Sequence, residues 1–530
     1  MEKRKILSSK VFLYMTEFFS GVCVMAVEQG ASRLLAPYFS SSQIVWTIII
    51  GMIMIAMALG NIYGGRAVDR DPDPDRLYGR ILAAAVWIAL IPLLGKYVIL
   101  GVSALMIVAV STSLLIWASL VSCLVIFVYP LFLLGTVTPS LIKYTVDDLS
   151  ESGRIAGRLG AANTVGSIIG TFVPTFVTIP AAGTSATFLI FSGILLALSV
   201  VYFASAKAGK KRVAAAALIF LVSCAFGHSD SFAFWDRNLT YEGESVYNYL
   251  QVKEDDNTVA LSTNVLFGVQ SITMKDHSLS GMYYDYAMAA PLMADVMNKS
   301  SCDVLVLGNG TGTYAAQCER YFDNVTAEGV EIDGKIIRLA TKYFDQPEDM
   351  KVTEYDGRAF LNAVDKKYDV IMVDAFRDIT IPFQMSTEEF FLKVREHLHD
   401  GGIMVVNLNM RGDENDPDDI NHYLSDTIST VFDHIYTVDV PDSTNRVVFA
   451  TNAPDAPAVF AGNIGKETDA GLKNLMSGVQ AQLQTYIPGS HVMTDDKAPV
   501  ELLGMRQIDA IIREQVGYYR DLLLAGQLEL

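Results

Sequence analysis

Two stretches of this chain carry no Asp, Glu, Lys or Arg: the 46 residues between Lys96 and Lys143, and the 48 between Arg158 and Lys207. At a rise of about 1.5 Å per residue, either stretch as helix crosses a hydrocarbon layer of about 30 Å twice. A wholly soluble or secreted fold is excluded, because no water-facing surface tolerates that much continuous uncharged chain. Residues 1–228 are expected to form a multi-pass α-helical membrane bundle of about seven to eight spans. The apolar runs lie near 11–30, 43–64, 79–98, 100–119, 120–141, 158–180, 184–206 and 212–228.

The basic start of the chain, and Arg66, Arg70, Arg76 and Arg80 between the second and third runs, place those segments on the cytoplasmic side. An even number of spans then returns the remainder to the cytoplasm, so the polar half is expected inside the cell. The basic run at 207–212 fits six or seven crossings better than eight. The first run carries Glu17 and Glu28 and lacks a small-residue cleavage site, so no cleavable signal peptide is expected. A lone charge at membrane depth costs about 2.5–3.5 kcal/mol, so Glu17, Glu28 and Arg33 should face the bundle interior and pair, for example Glu28 with Arg33.

Beyond residue 228 the chain turns polar and acidic, and most of the net charge of −18 belongs there. Such a surface repels phosphate backbones and excludes a nucleic-acid partner. The five cysteines show no paired spacing, which argues against a disulfide framework and for a reducing compartment. No metal site is expected: His397 and His399 fall two apart on an expected helix, on different faces. Three divisions follow: a β-hairpin subdomain at 240–285, a nucleoside-binding α/β domain at 286–455 and a helical extension at 456–530, including a helix near 502–525 with one apolar face. The extension suits either a homodimer contact or docking to the bundle.

Residues 247–252, 258–262 and 268–274 alternate with turn residues and read as antiparallel hairpins. A buried-type apolar strand at 303–308 then runs into Gly308, Gly310 and Gly312 and a helix from 313, the order in which a backbone turns sharply to meet a ligand. Acidic side chains follow at the carboxyl ends of the next three strands: Glu331, Asp356 beside Gly357, and Asp374. A pyrophosphate would be repelled by three carboxylates. A cationic sulfonium nucleoside would not, so the fold class is a doubly wound, Rossmann-like α/β domain of class I methyltransferase type with such a ligand.

These segments resemble the catalytic domain of the spermidine synthase (aminopropyltransferase) family over residues 245–410, and the whole chain resembles its membrane-fused bacterial variants. The matching motifs are SVYNYLQV (245–252), YYDYAMAAPL (283–292), EYDGRAF (354–360), QMSTEEFF (384–391), DGGIMVVN (400–407) and TDDKAPVE (494–501). The resemblance implies that Glu331 takes the ribose diol, that Asp356 with Gly357 holds the adenine amine, and that Asp374 is the catalytic aspartate. Tyr283 joins it, Gln270 and Tyr284 complete the nucleoside-binding set, and no cofactor is implied. S-adenosylmethionine or its decarboxylated form is the implied substrate.

Two departures shift the expected chemistry. The family's glycine loop reads GGGDG, with an Asp for the aminopropyl ammonium, and here that position is Thr311. The family's DSSD after the fourth strand is here Asp374, Ala375, Phe376 and Arg377. A guanidinium disfavours a cationic amine and suits a carboxylate. The leading expectation is therefore a lyase that cleaves the sulfur–Cγ bond of intact S-adenosylmethionine without an amine acceptor, giving methylthioadenosine and homoserine lactone, with Asp374, Arg377 and Tyr283 as catalytic residues. Arg377 as a surface partner of Asp378 is the plainer reading. An aminopropyltransferase, a methyltransferase and a nucleoside-sensing transporter stay open.

Overall fold

The computed structural model describes residues 9–39, 42–110, 113–146, 149–228, 231–236, 238–265, 269–375, 381–409, 416, 418–510 and 513. The chain divides into two compact units. One comprises Met1–Arg237 with Glu242–Tyr249 and Asn264–Leu266, and the other holds the remaining residues.

The first unit is helical: α1 (Lys10–Phe39), α2 (Gln43–Arg70), α3 (Pro74–Ala109), α4 (Leu114–Cys123), α5 (Tyr129–Gly135), α6 (Val137–Thr145), α7 (Ser152–Val173), α8 (Ile179–Ala206) and α9 (Lys210–Phe226). Among the described residues, five stretches are long and apolar enough to cross a membrane: Lys10–Phe39, Gln43–Arg70, Pro74–Ile107, Leu114–Thr145 and Ser152–Ala206. This differs from the expected run of spans. The boundary expected near residue 99 does not exist, because α3 continues for 36 residues through Gly101 and Ser103. An apolar run has no charge to mark a turn, so its length alone misplaces the breaks. The 55-residue stretch is itself interrupted at Gly183, whose φ of 86° and ψ of 171° are not helical. Single π-turns at Leu124–Val128 and Pro174–Thr178 absorb local kinks without ending the rods.

Small residues set the tightest packing in this unit. A Cβ on Gly166 would lie 2.1 Å from the Phe18 carbonyl oxygen, and one on Gly170 would lie 2.1 Å from that of Val22, so α1 and α7 meet backbone to backbone. The expected Glu28–Arg33 pair does not form. Arg33 instead donates to the carbonyls of Ser245, at 3.2 Å, and Val246.

Next in the chain comes a four-stranded sheet, ordered β1 (Leu239–Glu244), β2 (Tyr249–Glu254), β3 (Thr258–Ser262) and β4 (Ser271–Met274). The expected hairpins are present with antiparallel registers. Short helices α10 (Tyr283–Ala287) and α11 (Ala289–Met293) lead into alternating strands and helices: β5 (Cys302–Leu307), α12 (Thr313–Tyr321), β6 (Val325–Glu331), α13 (Gly334–Tyr343), β7 (Lys351–Glu354), α14 (Gly357–Ala363), β8 (Tyr368–Val373), α15 (Glu388–Glu396), β9 (Leu398–Leu408) and α16 (Ile420–Ser429). The antiparallel strands β10 (His434–Asp439) and β11 (Arg446–Thr451), helices α17 (Ala456–Lys466) and α18 (Ala470–Gln482), and β12 (Gln484–Thr485) follow.

The eight-stranded sheet has the order β12-β10-β11-β9-β8-β5-β6-β7, parallel from β7 to β9 and antiparallel beyond. This is the doubly wound, Rossmann-like methyltransferase-type fold. Apolar side chains of β8 are buried throughout, as a strand covered on both faces requires. Alternate residues Val304, Val306, Val370, Met372, Ile403 and Val405 share one core with Tyr283 and Tyr284. Helix α15 ends at Glu396, so His399 lies in β9 rather than on a helix with His397. Residues 500–510 are helical, and most of the expected helix at 502–525 lies outside the described residues.

Candidate active site

Chain order reverses at β5, which has β6 on one side and β8 on the other. In open sheets of this kind the ligand crevice opens beyond the carboxyl ends of the strands at that switch point. The glycine turn sits there. Gly308, Gly310 and Gly312 have φ of 84°, 54° and 79°, in the left-handed region. The turn is tied down by the Gly308 and Asn309 N–H groups, which donate to the Val330 carbonyl at 2.9 and 3.0 Å.

The three strand-end acids line this edge. Glu331, the last residue of β6, is nearly enclosed at 7% exposure. It accepts from the backbone N–H of Gly310 at 2.9 Å and of Asp333 at 3.0 Å, so the turn is locked to the second strand. Burial holds its carboxyl above the ordinary range against those two donors. Asp356 caps α14, accepting from the Ala359 N–H at 2.8 Å. Gly357 lies close under Leu307 and Met385, where a Cβ would approach within 3.5 and 3.3 Å.

Asp374 follows β8 directly, and its N–H donates to the Leu307 carbonyl at 2.9 Å. The Tyr283 hydroxyl donates to Oδ2 at 2.5 Å, and the Asn407 amide donates to Oδ1 at 3.1 Å. Asn445 in turn donates to Asn407 at 2.8 Å, which orients that amide. Burial pushes the Asp374 carboxyl up to about 7, with the Glu331 charge adding to the rise and the Tyr283 and Asn407 donors opposing it. Desolvation and proximity to Asp374 likewise drive the Tyr283 phenol well upward, so it stays a donor. Two mutually repelling carboxylates in one crevice favour a cationic ligand.

Thr311 is enclosed in a cluster of hydroxyls. Its Oγ1 meets Ser271 Oγ and lies 2.9 Å from Thr313 Oγ1, which is 3.0 Å from Thr273 Oγ1. Gln270 enters β4 with its N–H donated to Leu261 at 2.8 Å. The Tyr284 hydroxyl both donates to the Ile272 carbonyl and accepts from the Ile272 N–H, at 2.7 and 2.9 Å. It is a pin between α10 and β4. Arg377 lies outside the described residues.

Several contributors escaped the sequence reading. Asn407 is the penultimate residue of β9 and was visible only as the last letter of the DGGIMVVN motif. Arg358 forms a two-pronged pair with Asp495 at 2.7 and 2.6 Å, joining α14 to the segment near 494–501. Asp285, with 0% exposure, accepts from Gln317 Nε2 at 2.7 Å, Gly281 N at 2.6 Å and Ser280 Oγ at 3.1 Å. It fixes the helix that carries Tyr283. Asp285→Ala strands those donors, and the expected loss is about 3 kcal/mol of unfolding free energy, read from denaturant unfolding of the full chain.

The Spermine/spermidine synthase domain matches residues 282–461. A probable polyamine aminopropyl transferase of Bifidobacterium longum is 49% identical over 344 residues, covering 62% of this chain and 76% of that protein. This chain belongs to the spermine/spermidine synthase family. A polyamine aminopropyltransferase of Vibrio vulnificus is 26% identical over 252 residues, 46% of this chain and 81% of its own. Among solved structures, a spermidine synthase from Thermotoga maritima aligns with a TM-score of 0.36 at 19% identity, over 53% of this chain and 88% of its own. A probable spermidine synthase from Corynebacterium glutamicum aligns with a TM-score of 0.35 at 18% identity, over 47% and 97%. The synthase-domain match takes in the Tyr283 helix, the glycine turn and all three strand-end acids. Membership favours aminopropyl transfer over the lyase reading drawn from the two departures.

Proposed function

We propose that the second unit is an aminopropyltransferase that takes decarboxylated S-adenosylmethionine and an amine and releases methylthioadenosine. The observation that carries this is Asp374, a carboxylate of raised affinity for protons, aimed by Tyr283 and Asn407 at the switch point of the sheet. Glu331 would accept from the ribose hydroxyls, Asp356 and Gly357 would meet the adenine, and Gln270 would close the nucleoside site. The amine lone pair attacks the carbon next to sulfur, the carbon–sulfur pair leaves on sulfur as a neutral thioether, and the proton shed by nitrogen passes to Asp374. The relatives' names as polyamine aminopropyltransferases support the same reading.

A second reading has its own support. Thr311 places a neutral hydroxyl cluster where the family's loop carries an acid. That change weakens the hold on an aminopropyl ammonium and leaves cleavage of intact S-adenosylmethionine by its own carboxylate as the competing reaction. Full-length protein in detergent, given decarboxylated S-adenosylmethionine with putrescine, S-adenosylmethionine with putrescine, or S-adenosylmethionine alone, separates these by chromatography. Methylthioadenosine with spermidine, dependent on the decarboxylated donor, is expected. Methylthioadenosine from S-adenosylmethionine alone overturns the transferase in favour of the lyase, and S-adenosylhomocysteine would mark a methyltransferase.

We infer that the helical unit embeds the enzyme in the bacterial inner membrane with the synthase unit on the cytoplasmic side. The five long apolar stretches and the basic loop around Arg66–Arg80 support this placement.

A further inference from the structure

Glu17 lies in the first third of α1 with 0% exposure, inside the apolar helical unit. The close approach of α1 to α7 at Gly21, where a Cβ would sit 2.4 Å from the Asn163 carbonyl oxygen, brings the Asn163 side chain up to it. Its two oxygens are treated unequally. Oε1 accepts from Thr138 Oγ1 at 2.6 Å and from Asn163 Nδ2 at 3.0 Å. Oε2 is buried and has no hydrogen-bond partner among the described residues. One helical turn further along α1, Ser20 is 2% exposed and its Oγ is likewise unpartnered.

A buried carboxylate with donors on one oxygen and none on the other is not a stable anion by itself. No Lys, Arg or His pairs with it among the described residues. The neighbouring elements bring Tyr78 of α3, whose hydroxyl meets Thr16 at 3.1 Å. Lys143 of α6 is committed to Asp69 of α2 at 2.9 Å, at the exposed surface. Arg158 stands on α7 five residues before Asn163, and α8 contributes Tyr202, stacked on Tyr78. None of these supplies the missing positive charge.

We propose that Glu17, with Ser20, Thr138 and Asn163, forms a site for a small monovalent cation inside the helical unit, a proton or a sodium ion taken up at Oε2. Thr138 and Asn163 spend their donors on Oε1 and hold the carboxyl in place. Ser20 Oγ offers the second oxygen ligand on the same face of α1. Sodium entry is an exchange, in which the protonated carboxyl and Na⁺ give the sodium carboxylate and a released proton. The site is distinct from the synthase chemistry and gives the helical unit an ion-responsive element.

Infrared difference spectra of the full chain in detergent test it through the part of the protonated-carboxyl band that Glu17→Gln removes, because Asp374 and Glu331 of the synthase unit also have raised carboxyls. In wild type this part of the band is expected to disappear as pH is raised from about 5 to about 10, and to be absent in Glu17→Gln but retained in Glu28→Gln. Loss of this part on adding NaCl but not KCl at fixed pH, with a proton released to the medium, identifies sodium, and a response to pH alone identifies the proton. If Glu17→Gln does not fold, Ser20→Ala replaces it and is expected to shift the midpoint of the wild-type titration. A Glu17 band that no pH in this range and no sodium concentration moves, or no Glu17 band at any pH, overturns the proposal.

Discussion

Asp374→Asn is expected to lower methylthioadenosine formation by on the order of 10²–10⁴-fold, the usual worth of a positioned general base. The substitution keeps shape and retains an acceptor for the Tyr283 hydroxyl, but it cannot take the proton that an attacking amine must lose. Because burial raises this carboxyl to about 7, wild-type kcat should climb as pH rises through that value and level off above it. The Asn variant should lack that limb, and a pH–rate profile on both proteins reads the difference. Stability moves the other way. The folded state binds this proton more tightly than the unfolded chain, whose Asp titrates near about 3.9. The contribution of Asp374 to stability is therefore present at low pH and lost as pH rises from the unfolded value towards about 7. Near pH 8 the Asn variant should unfold no earlier than wild type, so a large activity loss with unchanged or raised thermal midpoint is the expected pair of results. A residual rate within tenfold of wild type would remove Asp374 from the reaction.

Gly308→Ala is expected to be the most damaging single-methyl addition in the synthase unit. Its φ of 84° already disfavours any side chain, and the new Cβ would lie 2.6 Å from both Ala375 Cα and the Asp374 carbonyl oxygen. Neither backbone can retreat without moving Asp374 away from Tyr283 and Asn407. The expected cost is about 3 kcal/mol or more of unfolding free energy, with loss of measurable methylthioadenosine binding by calorimetry. Gly310→Ala supplies the control. That glycine also has a left-handed φ, of 54°, yet a Cβ there meets nothing within 4 Å. It should cost only about 1–2 kcal/mol and keep nucleoside binding. Equal effects at the two positions would mean that strain, rather than collision with the Asp374 strand, governs this turn.

The contrast between those glycines marks how far the sequence could be read. Gly308, Gly310 and Gly312 stood out as a turn, and an acid at or after each of three strand-like segments was visible at Glu331, Asp356 and Asp374. Which glycine is trapped was not visible, since Ala375 reaches Gly308 through strand pairing across 67 positions of chain. The same holds for the partners of Asp374. Tyr283 comes from 91 residues earlier and Asn407 from 33 residues later. Tyr284, alike in composition and adjacent in chain, turns its hydroxyl to Ile272 instead.

In the helical unit the sequence determined that long apolar helices exist, because charge is excluded over whole stretches and so long an apolar run pairs its own N–H and C=O groups most readily as helix. It could not determine where those helices stop, for uninterrupted apolar chain carries no local signal, and the non-helical Gly183 lies inside such a run. In the synthase unit, local periodicity and turn chemistry determined strands, helices and the acids at their ends. Tertiary structure alone decided which donors meet Asp374, which oxygen of Glu17 is left without one, and how far burial raises the Asp374 carboxyl. Those are properties of distances between segments far apart in the chain, and proton affinity responds to burial and neighbouring charge rather than to residue type.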